Sequence, residues 1–170
     1  MSSVSFKYNI VIFIILSVLS TVISVKMPVS CFNYKKWQFK MRTFEKNGDI
    51  YQHFFKVKRW KNHIPELGDF VKSIFPKKQI LKLSRDYLYR FAAETCRAEF
   101  AHWCIIFSSF IFRFWNDAAM SIFMVLLAIA LNFPYIIIQR YNRPRIINIL
   151  AQKNLLKTED SMNDQLNMLC

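Results

Sequence analysis

Ala119–Ile138 reads AMSIFMVLLAIALNFPYIII, twenty residues without a charged side chain. At 1.5 Å per residue this makes a helix of about 30 Å, the thickness of a bilayer's hydrocarbon core. Working outward, the chain before it contains Ala101–Trp115, AHWCIIFSSFIFRFW, which is shorter and carries Arg113. Between the two lies Asn116-Asp117, a polar turn whose Asp117 is placed to cap the following helix. The pattern predicts a hairpin of two membrane helices near 98–115 and 119–138. Its first arm needs Arg97 to Phe100 to complete a span, or else enters only part-way. Near the amino terminus, Asn9–Val25, NIVIFIILSVLSTVISV, is a third uncharged block at the lower length limit for a crossing helix. A signal peptide has a similar apolar core, with Val22-Ile23-Ser24 as its cleavage site. Lys7 alone precedes the block, and cleavage would export a strongly basic segment, so the reading favours an uncleaved anchor.

Composition agrees with this division. Hydrophobic residues make up 54% of the 170 and are gathered into blocks, where a soluble core would spread them. Seventeen of the 24 Lys and Arg lie between Lys26 and Phe100, whereas the hairpin tip offers only Arg113. Positive residues favour the cytoplasmic side. The expected arrangement in a cell membrane is therefore amino terminus outside, basic middle segment and carboxyl terminus cytoplasmic. The fold class is mainly α: an anchor (1–25), a basic, aromatic-rich interfacial segment leading into the hairpin (26–150), and a polar, mobile tail (151–170). In the middle segment, Tyr34-Lys35-Lys36-Trp37 and Lys58-Arg59-Trp60-Lys61 suit the headgroup layer, where rings sit low and charges reach water. Pro76, Gly48 and Gly68 mark breaks and turns. With apolar blocks on both sides, the charge points to anionic lipid or an anionic cosubstrate, and not to nucleic acid.

Several chemistries are excluded. Only Gly48 and Gly68 are glycines, so neither a nucleophile elbow nor a phosphate-cradling glycine loop can be built. The four cysteines have no metal-ligand or disulfide spacing, and Cys170 is misplaced for prenylation. No metal is expected. One Glu-x-x-His without a second pair does not make a di-iron site.

Two runs could carry chemistry. In Glu94–Trp103, ETCRAEFAHW, a helix places Thr95, Glu99, His102, Ile106, Ser109 and Arg113 on one stripe. Polar groups at membrane depth face protein or water, and there they mark function. Glu99, one turn before His102, is placed to accept its ring proton and raise the basicity of the other nitrogen, as a general base requires. The alternative is that the pair only marks the membrane boundary. The second run, Gln139–Arg145 (QRYNRPR), could hold a phosphate or carboxylate through Arg140, Asn142, Arg143 and Arg145, or simply be a positive-inside stop signal. Arg97, Trp103 and Lys61 complete the candidate substrate-binding set. Pro134 would bend the last helix and open a cleft.

FEKNG, KVKRWKNHIPE, ETCRAEFAHW and NFPYIIIQRYNRPR, spread in that order over about Met41–Leu150, resemble the glycosyl-4,4'-diaponeurosporenoate acyltransferases of bacterial carotenoid biosynthesis. The resemblance implies that 26–150 is an acyltransferase domain. It implies transfer of a fatty acyl group to the glucose C6 hydroxyl of a glycosylated carotenoid, the last step toward staphyloxanthin-type pigments. No cofactor is implied; acyl-CoA or another activated acyl group would be the donor substrate. The residues alone leave open another glycolipid acceptor, or a non-catalytic assembly or lipid-binding protein.

Overall fold

A computed structural model describes residues 6–65 and 84–169, with side chains through Lys153. The expected breaks at Gly68 and Pro76 lie outside the described residues. The chain is helical, with no strand among the described residues. We number the α-helices α1 (Phe6–Lys26), α2 (Asp49–Phe55), α3 (Val57–Trp60), α4 (Arg85–Ser108) and α5 (Ala118–Leu169). Short 3-10 turns occupy Val29–Cys31, Thr43–Gly48 and Ser109–Phe114.

Two helices, α1 and the Ala118–Lys153 part of α5, are long and apolar enough to cross a membrane. Val11, Ile14, Ile15, Val18 and Leu19 on α1, and Ile122, Phe123 and Leu126 on α5, are exposed. Outward apolar faces of that extent belong to a membrane-associated protein. The hydroxyls of Ser17 and Thr21 donate to Phe13 O and Ser17 O, both at 2.8 Å, so these two groups are satisfied within α1.

The hairpin is present, with a composite first arm. Its α-helical part ends at Ser108, and the 3-10 turn Ser109–Phe114 carries the chain to the tip. Asp117 caps α5 as its position predicts, accepting from the Met120 N–H at 2.8 Å. The second arm departs from expectation. The apolar pattern ends the helix at Ile138, yet α5 continues through Pro144, and its backbone is helical through the supposed tail to Leu169. Each internal proline removes only one backbone bond. For Pro144 the carbonyl left over is that of Arg140, which lies against Gly48.

α1, α4 and α5 meet in one apolar cluster built on Phe13, Ile105, Phe112, Met124 and Ala128. Polar ties close both ends of the α1–α4 contact. At the tip, Asn9 donates to Asn116 Oδ1 and accepts from Asn116 Nδ2 and Trp115 Nε1, each at 3.0 Å. At the other end, Ser24 Oγ donates to Arg97 O at 3.2 Å, and Arg97 Nη2 to Met27 O at 3.1 Å. The bundle therefore stands on a base made by residues 137–150 of α5, the start of α4 and the segment 28–65.

Candidate active site

At this base, α4 and α5 bring the two polar runs together. Glu99 is buried and both its oxygens are taken: Oε1 accepts from Arg140 Nε at 2.7 Å, and Oε2 from Arg143 at 2.5 Å. Arg143 is fully buried, and it also donates to Thr95 Oγ1 at 3.0 Å and Phe39 O at 2.9 Å. Arg140 reaches further, to Glu45 Oε1 at 2.9 Å and Gln38 O at 3.0 Å. Glu45 sits at the turn Thr43–Gly48 and accepts the Arg42 N–H at 2.5 Å and the Tyr51 hydroxyl. Two carboxylates thus match two guanidiniums, and the charge-assisted bonds strap segment 38–51 across the helix pair.

This network corrects two expectations. Glu99 was assigned to orient His102, but its carboxylate is engaged by arginines from the facing helix, which offer two charged donors where imidazole offers one neutral N–H. Arg140 and Arg143 were assigned to an anionic substrate, but Glu45 and Glu99 already neutralise them inside the fold.

His102 has a different orienting group. Its Nδ1 lies 2.9 Å from Oδ1 of Asn132, a buried residue of α5. The Asn132 amide nitrogen donates to Ala128 O at 2.9 Å, which turns the oxygen toward the ring. An oxygen can only accept, so Nδ1 donates to Asn132. The ring also stacks on Tyr135, with centroids 4.7 Å apart and planes 13° from parallel, and the Tyr135 hydroxyl donates to Pro65 O at 3.0 Å. Asn132 and Tyr135 flank Pro134, so NFPY in α5 shapes both contacts of the imidazole.

The remaining candidates divide. Arg97 is held by Glu94 at 2.5 Å and lies over the Phe32 ring at 5.2 Å; its Nε is buried without a partner. Trp103 is half-buried and stacks on Phe107. Lys61 donates to Asn142 Oδ1 at 3.2 Å and lies 5.4 Å from the Tyr141 ring centre, and the Arg145 guanidinium lies 3.6 Å from that same centre. No group of three or more His, Cys, Asp or Glu residues among those described could hold a metal ion. Two residues of the site escaped the sequence reading, Glu45 and Asn132. FEKNG and NFPY contain them, but nothing local signals a partner some 95 residues away for one and 30 away for the other.

Comparison with known proteins gives the chemistry. The family described as glycosyl-4,4'-diaponeurosporenoate acyltransferase matches residues 34–152. A protein of that name from Staphylococcus aureus strain N315 is 31% identical over 144 residues, covering 84% of each chain. Its counterpart from the bovine strain RF122 / ET3-1 is 30% identical over 142 residues, again with 84% of each covered. No solved structure matches the chain. Helices fit for a membrane and this kinship define a membrane-associated acyltransferase. The chain belongs to the glycosyl-4,4'-diaponeurosporenoate acyltransferase family.

Proposed function

We propose that the protein esterifies a fatty acyl group onto the glucose C6 hydroxyl of glycosyl-4,4'-diaponeurosporenoate, as the final step toward a staphyloxanthin-type pigment, with His102 as general base. The observation that carries the residue assignment is the fixed imidazole. Asn132 holds its Nδ1 and Tyr135 stacks on its face. Nε2 accepts the C6 hydroxyl proton as the sugar oxygen attacks the acyl carbonyl. The tetrahedral oxyanion needs a donor, which a backbone N–H or an arginine supplies. Collapse breaks the bond to the leaving group, which recovers the proton from the imidazolium. The acyl donor is acyl-CoA or another activated acyl group, met as a substrate. The excess of positive charge after α1 supports an outside amino terminus and a cytoplasmic reaction side.

Replacement of His102 by Ala is expected to lower ester formation by about 10²–10⁴-fold in membranes supplied with donor and glycosylated acceptor. Undiminished turnover would remove His102 from the reaction. Comparing lipid extracts of cells with and without the protein by mass tests the acceptor. An acyl increment on a glycosylated carotenoid supports the proposal, and an increment confined to another glycolipid rejects that acceptor.

A further inference from the structure

Beyond the two arginines absorbed by Glu45 and Glu99, α5 carries a third, Arg145. Lys61 and Arg145 converge on a single ring, that of Tyr141. Tyr141 is fully buried, yet its hydroxyl has no hydrogen-bond partner among the described residues. A buried hydroxyl left unpaired asks what completes it. The Arg145 guanidinium has no hydrogen-bond or ion-pair partner among the described residues. Stacked on an aromatic face, such a group keeps its N–H edge free for an oxyanion.

We propose that Arg145 and the Tyr141 hydroxyl bind a phosphate group of the acyl donor. A guanidinium edge and a hydroxyl donor match a group with several acceptor oxygens. The location fits as well. Asn142 and Tyr135 are seven residues apart and so share a face of α5, separated by about 10 Å of rise. Lys61 bonds to Asn142 at one end of that face; at the other, Pro65 accepts from Tyr135, which stacks on His102. A phosphate held at Tyr141 would therefore leave an acyl-bearing arm to run along α5 toward His102. The inference rests on the acyltransferase reading for the identity of the ligand, but not on His102 being the base.

The test uses the full chain in dodecyl maltoside micelles, which carry no phosphate. Coenzyme A is titrated in one arm and phosphatidylglycerol in mixed micelles in the other, for the native chain and for Arg145→Gln, Arg145→Lys and Tyr141→Phe. Native binding is expected for at least one probe, weakened about tenfold or more by Arg145→Gln and partly restored by Arg145→Lys. Tyr141→Phe is expected to weaken binding without lowering thermal stability, because it deletes a hydroxyl that bonds to nothing in the empty protein. Loss of coenzyme A binding identifies a thioester donor, and loss of phosphatidylglycerol binding alone identifies a lipid phosphate. Equal affinity of all four proteins for both probes overturns the site, as does a native chain that binds neither. A native chain that binds in this way but forms no ester with any donor refutes the acyltransferase reading and leaves the phosphate site standing.

Discussion

At Gly48, backbone and surroundings both exclude a side chain. Its φ of +89° lies in the left-handed region, and an added Cβ would stand 3.1 Å from Pro144 Cγ and 3.3 Å from Tyr141 O. Gly48→Ala is expected to cost about 1–3 kcal/mol, read as a lower unfolding temperature in detergent. Glu99 carries a heavier consequence. Glu99→Gln removes the charge facing Arg143, which is fully buried, and breaking such a pair costs about 3–5 kcal/mol. Pairing Glu99→Met with Arg143→Met should recover much of that loss, which a purely orienting role for Glu99 would not predict. The importance of these residues was legible in the sequence, but their pairing was not. Spacing of three along a helix shows that Glu99 and His102 can meet; it is silent on arginines 41 and 44 residues away that bind the carboxylate first. Asn132 was hidden for the same reason, as one polar residue in an apolar run whose value lies wholly on the facing helix.

Among the elements, α1 is a packed member of the bundle. Asn9 is fully buried in its bonds to Asn116 and Trp115. Asn9→Leu removes the donor to Asn116 Oδ1 and the acceptor for Trp115 Nε1 at the tip, and the expected loss is about 1 kcal/mol, with faster proteolysis at the α1–α4 contact as the check. The hairpin could be read directly because its cues are local: a charge-free run, a polar turn and an aspartate at the cap. The persistence of α5 beyond Ile138 could not. Pro144 and the following polar residues look like an end, and the Gly48 contact that accommodates the proline comes from nearly a hundred residues earlier.

For the molecule as a whole, the strap around Glu45 sets a pH range. Burial alone would raise the Glu45 carboxyl, but the Arg42 N–H, the Tyr51 hydroxyl and Arg140 outweigh it and hold the group below its ordinary value. Its stabilisation is complete above the unfolded carboxyl range and fades as pH falls through the lowered folded value. Burial, followed by the bond to Glu45, pushes Tyr51 above its ordinary range, so its share persists in mild alkali and is lost only as pH rises through the raised folded value. Thermal unfolding followed across pH should show an acid-side decline that Glu45→Gln flattens. Arg140 and Arg143 hold Gln38, Phe39 and Glu45, all of which leave the ribosome about a hundred residues ahead of them. The nascent chain must therefore keep Gln38, Phe39 and Glu45 unlatched until the last helix has been made. Assembly then finishes in a single late step, and chains stopped short of Arg140 are expected to reach the membrane and still be cleared by quality-control proteases.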